Sequence, residues 1–103
     1  MAVRNHRITI EQASESLDSE RAVTQTWSVV AVVWAAVTPL SGRELYSARQ
    51  LHADVDYKIE TQYRSGVTPK MRITWARRTF DIRQVVNVGE RNRDLEILAT
   101  ERV

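Results

Sequence analysis

The stretch Trp27-Ser-Val-Val-Ala-Val-Val-Trp-Ala-Ala-Val37, continued by Thr38-Pro-Leu-Ser-Gly-Arg-Glu44, decides the fold of this chain. Its first part is rich in β-branched and aromatic residues, which favour a strand. Pro39 ends that strand, because proline cannot donate to the ladder of a central strand. Ser41 and Glu44 have the spacing of a capping box, which marks the start of a helix. The sequence therefore predicts a buried strand that runs directly into a short helix.

This strand is apolar on both faces. Successive side chains point to opposite faces, which puts Trp27 on one face and Trp34 on the other. We expect Trp27 to pack inside the sheet structure. The other face must be covered by the chain's own helix or by a neighbouring subunit, and we expect Trp34 to pack on the helix. That helix is predicted from Gly42 to about Ala53, with an apolar stripe made of Leu45, Ala48 and Leu51.

Five further strands are predicted around this one. Each is predicted from alternating apolar residues or from the turn residues that bound it. The strands lie at Arg7–Gln12, Asp56–Arg64, Met71–Trp75, Phe80–Val88 and Leu95–Thr100. The polar segment Ala13–Thr24 is predicted as a long loop. The fold is therefore mainly β, a small six-stranded barrel or sandwich with one short helix after the second strand, in a single domain over residues 1–103. A ferredoxin-like α+β fold would need a second helix, which we cannot place.

The bulk composition narrows the function classes. A net charge of +2 is small for a dedicated nucleic-acid binder. Basic residues nevertheless gather in the second half, around Trp75 and Phe80, so a small β-barrel nucleic-acid-binding module is the alternative function. The longest uninterrupted apolar run, Val29–Val37, is far shorter than the roughly 20 residues of a membrane-spanning helix. We expect no membrane insertion, and with no cysteine, no disulfide framework.

No catalytic constellation emerges from the sequence. His6 and His52 lie in different predicted elements, and His52 suits the last turn of the helix, where a cation is favoured. Asp54 and Asp56 fit a solvated turn, since no oxygen-rich loop surrounds them. There is no nucleophile motif and no phosphate-binding glycine loop. We therefore expect no enzyme activity, no catalytic residue, no cofactor and no metal.

The stretch Trp34–Leu51 resembles the head–tail joining proteins of long-tailed phages, also called head-closure or stopper proteins. Shared features are an alanine-rich strand end, a proline, a small residue, an acidic residue and then an Ala-x-Gln-Leu helix, here Ala48-Arg-Gln-Leu51. Later strands match in order and spacing, at Tyr57–Thr61, Met71–Ile73, Phe80–Ile82 and Leu95–Leu98. This chain departs from the family by having no glycine in Ala13–Thr24 and a bulkier turn at Ala76–Thr79.

The resemblance implies a structural subunit of the head–tail interface of a virion, assembled in the host cytoplasm. Such a subunit forms a homo-oligomeric ring between the portal or adaptor protein and the tail terminator or tail proteins. The ring helps to retain packaged DNA, which passes without sequence-specific binding, and a gene-transfer agent would carry the same features. By length and polarity, the loops expected to face the channel or a partner contain Glu15, Asp18, Arg21, Lys70, Arg91 and Arg93.

Overall fold

A computed structural model describes residues 4–17 and 23–102. The elements are β1 (His6–Leu17), β2 (Val23–Pro39), α1 (Gly42–Leu51), β3 (Tyr57–Gln62), β4 (Arg72–Trp75), β5 (Arg78–Asn87), a short 3-10 turn (Val88–Glu90) and β6 (Asp94–Arg102). All neighbouring strands are antiparallel, and they close a barrel in the order β1-β2-β3-β6-β5-β4. This confirms a mainly β fold with one helix after the second strand, in the barrel form rather than the sandwich form.

The barrel interior is filled by the inward-facing residues of all six strands. Isoleucines dominate, because β-branched side chains pack well on a pleated surface. The fully or nearly fully buried members are Ile8, Ile10, Ala35, Ile59, Ile73, Phe80, Ile82, Ile97 and Ala99. Alternation with solvated residues on the outer face makes this a one-sided sheet curled around its own core.

A second, smaller cluster lies under the helix. Ala48 is buried against Leu40, Val55 and Leu98, and Leu45 packs beside them. The predicted helix is confirmed, and so is the packing of Leu45 and Ala48. Leu51 is instead 70% exposed, so the predicted stripe ends one turn early.

The predicted capping box is not formed. Ser41 occupies the N-cap with extended backbone, but its side chain makes no capping hydrogen bond. The Glu44 carboxylate turns away and accepts a hydrogen bond from the Lys58 ammonium on β3. That bond raises the pKa of Lys58, although desolvation opposes the shift. A cross-element ion pair has therefore replaced the local cap.

The predicted loop Ala13–Thr24 is wrong, because most of it belongs to strands. From Gln12↔Ser28 to Leu17↔Val23, β1 and β2 pair with each other, well beyond the last rungs that either strand shares with the rest of the barrel. Serine and threonine side chains can remain solvated there while one edge of each strand pairs with the other strand. We call this two-stranded extension the ribbon; at 3.4 Å per residue it projects about 20 Å. Asp18 and Arg21 lie outside the described residues.

A β-bulge at Val30 changes the facing of the long strand. Ile10 pairs with Ala31, but the next residue of β1, Glu11, pairs with Val29, so β2 has one extra residue there. A bulge of this kind shifts the alternation of the strand that carries it. Trp27 and Trp34, which strict alternation separates, consequently share the outer face of the barrel.

The connection between β4 and β5 is the tight turn that the sequence predicts. Ala76 and Arg77 both have positive φ, at 51° and 65°. This is the twist of a two-residue hairpin turn, which matches the twist of the flanking strands. No helix within residues 4–17 and 23–102 is long and apolar enough to cross a membrane.

Candidate assembly surfaces

The antiparallel topology gives the barrel two chemically different ends. Strands alternate in direction along the chain, so the β1–β2, β3–β4 and β5–β6 connections all lie at one end, which we call the loop end. The helix and the β4–β5 turn lie at the other, the helix end. The described candidates for the channel or partner loops, Glu15, Lys70, Arg91 and Arg93, are therefore brought to a single end.

The candidate charged residues of these segments are solvent-exposed where the structure describes them. Lys70 follows β3, while Arg91 and Arg93 lie between β5 and β6. Glu15 is exposed too, but it lies in β1 on the ribbon rather than in a loop. In the same region Arg4 forms an ion pair with Asp94. The loop end thus combines charges of both signs with an excess of arginine and lysine.

The outer face of β2 carries the main exposed apolar surface, which we call the β2 face. It consists of Trp27, Val29, Val32 and Trp34, which pair with alternate residues of β1. Val29 is 61% exposed and Trp34 is 57% exposed. Apolar residues grouped in this way on a protein surface mark an interaction site more often than isolated ones do.

Trp34 does not pack on the helix, contrary to the sequence prediction. The helix packs on Leu40, Val55 and the outward-facing Leu98 of β6, and leaves the side wall formed by β2 uncovered. The guanidinium of Arg7 lies 5.9 Å from the Trp34 ring centroid, on the outer face of the barrel. Of the two possible covers for this face, the chain's own helix is therefore ruled out.

Trp27 is not inside the barrel either. The Arg72 guanidinium lies 4.0 Å from its ring centroid, on the outer face. Arg72 Nε also donates to Glu11 Oε1 at 2.8 Å. The indole is thus half covered by a cation that a neighbouring strand supplies, a favourable arrangement for the ring quadrupole.

A cleft opens beside Trp34, where β2 separates from β3. The two strands pair from Ala35↔Thr61 to Pro39↔Tyr57, and the last contact before they diverge is the Thr61 hydroxyl, which donates to the Trp34 carbonyl at 2.9 Å. The cleft has a volume of about 330 Å³, and Arg4, Tyr63 and Arg64 form its far wall. It extends the β2 face toward the loop end.

A compact ionic cluster closes the helix end. Arg78 donates from Nε and Nη2 to the two carboxylate oxygens of Glu101, at 2.9 and 2.8 Å, and from Nη2 to the Tyr57 hydroxyl at 2.7 Å. Its guanidinium also lies 5.2 Å from the Trp75 ring and 5.1 Å from the Phe80 ring. These hydrogen bonds raise the pKa of Arg78 and lower the pKa of Glu101. These bonds join Arg78 of β5 to Glu101 of β6 and Tyr57 of β3, so the cluster serves to hold strands together.

The remaining titratable candidates also have structural partners. Asp54 accepts from Arg83 at 2.8 Å, and Asp56 accepts from the Glu101 backbone N–H at 3.1 Å. His6 lies against Trp75, with ring centroids 4.4 Å apart and ring planes tilted by 54°. Among the described residues, no three of His, Cys, Asp and Glu are grouped so as to hold a metal ion.

Sequence reasoning missed the residues that frame the β2 face. The sequence predicts no role for Arg7 or Arg72, because a cation that covers an indole from another strand has no local sequence signal. The bulge at Val30 has none either, since valine is common in regular strands. The clue that was available was the run Trp27–Val37 itself, which carries more apolar residues than one interior face can absorb.

The whole chain matches a known family. The model of the family described as "Phage head completion protein" matches residues 2–102. Head completion protein gp16 of Bacillus phage SPP1 is 32% identical over 68 residues, which are 66% of this chain and 62% of the relative. The chain thus spans less than two thirds of that relative's length.

Two solved structures share the fold. Protein SF1141 from Shigella flexneri 2a, solved in solution, superimposes with a TM-score of 0.80 at 28% identity, over 98% of this chain and 96% of that chain. A chain from the virion of a native gene transfer agent particle has a TM-score of 0.67 at 19% identity, over 100% and 99% of the two chains. The second likeness shows the fold alone. Because the family match runs from residue 2 to residue 102, the resemblance inferred from the sequence is confirmed, and this protein belongs to the phage head completion protein family, a structural family and not one of enzymes.

Proposed function

We propose that this protein is a head-closure, or stopper, subunit of a virion, which forms a ring between the portal or adaptor and the tail and helps to retain packaged DNA. The observation that carries the proposal is the exposed β2 face. A closed barrel has already buried its own core. Leaving Trp34 and Val29 in water therefore costs free energy that only contact with another protein surface recovers.

The two ends of the barrel suit two different neighbours. The helix end presents an amphipathic element with exposed Tyr46 and Leu51, a surface fit for a protein partner. The loop end presents Lys70, Arg91 and Arg93 beside acidic groups. Mixed charge gives contact with passing DNA without base-edge recognition, which is what a channel requires. We assign the loop end to the channel side.

The ring assignment is tested in particles. Deleting the chain should give DNA-filled heads that lose their genome and join no tails. Complementation with Trp34→Ser should fail to restore infectivity although the variant folds, because the β2 face is lost from each subunit. Val88→Ser, which removes an exposed apolar side chain from the turn after β5, outside both the β2 face and the helix, is the control for loss of surface apolarity and should restore more infectivity than Trp34→Ser. Full infectivity of Trp34→Ser, or a single copy of the chain per particle, would contradict the proposal.

The nucleic-acid-binding alternative is favoured by one observation, the exposed basic residues of the loop end. It predicts that the isolated chain binds DNA with an affinity that falls steeply with salt. The stopper proposal instead predicts weak binding at physiological salt. Titrating labelled duplex with the full chain at two salt concentrations separates the two, and reversing Arg91 and Arg93 to glutamate identifies the surface responsible.

A further inference from the structure

The ribbon has two unpaired edges. β2 pairs with β3 only from Ala35 onward, so within the described part of the chain its other edge is open from Val23 to Val33. Among the same described residues, β1 pairs with β4 only over Thr9–Glu11, which leaves its outer edge open from Gln12 to Leu17. Each open edge presents backbone N–H and C=O groups that can accept another strand.

The β2 edge lacks the features by which natural proteins protect such edges. From Val23 to Val33 the sequence has no charged residue, no proline and no glycine, and it is rich in valine and threonine. A segment of this kind on an exposed edge pairs readily with another strand. Since two strands alone are only marginally stable in water, the ribbon is also the element that gains most from a third strand.

The two edges are complementary to each other. β1 and β2 run in opposite directions. When ribbons stand side by side in the same orientation, β2 of one copy therefore meets β1 of the next as an antiparallel neighbour. The open part of β1, Gln12–Leu17, matches in length the ribbon part of β2, Val23–Ser28. Contact between two different edges is heterologous, and it closes into a ring when the rotation allows.

We propose that the ribbons of neighbouring copies join edge to edge, β2 of one copy on β1 of the next, to form a continuous antiparallel sheet around the ring. The occupant of each open edge is a second copy of this chain. The inference rests on the ring proposed above and adds the surface by which the ring closes. Main-chain hydrogen bonds supply the affinity, as in other cases of strand addition. The apolar β2 face, at the base of the same strand, is available for side-chain contacts.

Crosslinking with single cysteines tests the arrangement, because the natural chain has none. Ser14→Cys marks the β1 edge and Thr26→Cys marks the β2 edge; both positions are exposed. The two residues pair within one copy, so the substitutions are placed in separate chains that are co-expressed and assembled into particles. A short bismaleimide then reports only contacts between copies. Ser47→Cys on the helix, mixed with Thr26→Cys, is the matched control and should give no crosslinked dimer.

The expected result is a crosslinked dimer in the mixture of Ser14→Cys and Thr26→Cys, well above the dimer from either variant alone. Dimers from Thr26→Cys alone would show that the β2 edges of two copies meet each other, and would overturn the head-to-tail sheet. A crosslink to a different particle protein would show that another partner's strand occupies the edge, and would overturn it too. Copy number is measured in the same particles by quantitative mass spectrometry. Several copies without a crosslink would refute the sheet but leave the ring intact, whereas one copy would refute the ring itself.

Discussion

Arg72 covers the Trp27 ring on the outside of the barrel, with its guanidinium 4.0 Å from the ring centroid and its Nε bonded to Glu11. One side chain therefore joins β4, β1 and β2 at the point where the ribbon leaves the barrel. The contact stabilises the base of the ribbon, a region that has no buried core of its own.

Replacing Arg72 with methionine should lower the free energy of unfolding by about 1–2 kcal/mol, since it removes both a cation–π contact and a charged hydrogen bond. Methionine keeps most of the apolar stem, so the loss reports on the charged head. Arg43→Met, at an exposed helix position, is the matched control and should stay within about 0.5 kcal/mol. Chemical denaturation measures both, and equal effects of the two changes would contradict the role given to Arg72.

Trp34→Ala should reduce the free energy of unfolding by only about 1 kcal/mol or less, because a side chain that is 57% exposed leaves no cavity behind. Phe80→Ala, in contrast, removes a fully buried ring and should cost about 3–5 kcal/mol. Denaturant unfolding of the two variants side by side makes the comparison. A loss for Trp34→Ala as large as that for Phe80→Ala would mean that the indole is buried in the free subunit.

The packing of the helix predicts that two leucines differ in their contribution to the free energy of unfolding. Leu98→Ala should cost about 2–4 kcal/mol, since Leu98 is buried beneath Ala48 and Val55. Leu51→Ala should be nearly neutral, because Leu51 is 70% exposed and alanine is the better helix former. The reverse order in thermal or chemical unfolding would place the helix in a different register on the barrel.

Acid should weaken the link between Arg78 and Glu101. The Arg78 hydrogen bonds lower the pKa of Glu101 in the folded state. This contribution is therefore complete above the ordinary glutamate pKa and is lost as the pH falls through the lower folded-state pKa. Glu101→Gln should be less stable than the natural chain at neutral pH, and the gap should narrow from about pH 4 downward. Glu90→Gln, which removes an exposed loop carboxylate, controls for the loss of one charge, and a gap that stays constant with pH would contradict the assignment.

The barrel and its helix could be predicted from the sequence because both follow from local periodicity. Ile59 and Phe80 stand at alternating positions of their strands, and Ala48 lies on the apolar side of its helix. The β2 face was harder to predict from the sequence, because it depends on contacts between residues that are distant along the chain. One extra residue at Val30 rotated Trp27 out of the core, and no local preference of valine signals that.

The ribbon was missed for a related reason. Periodicity detects strands that bury one face, whereas Ser14 and Glu15 of β1 and Gln25 and Thr26 of β2 are exposed on both faces. Their sequence has the polar character of a loop, yet their backbone pairs with the opposite strand. Such a segment is recognisable from its β-branched content on the β2 side, Val23 to Thr26, but not from a hydrophobic pattern.

The bulge at Val30 divides β2 into two parts that tolerate different substitutions. C-terminal to it, substitutions at alternate positions such as Val33 and Ala35 are limited by the volume of a closed interior. N-terminal to it, they are limited only by what the strand meets outside the molecule. Deleting Val30 would remove the offset between the two halves and turn Trp27 and Val29 toward the inner side of the sheet, and it would also remove a side chain that packs on the core. One residue thus sets which face the N-terminal half of β2 presents to a neighbour.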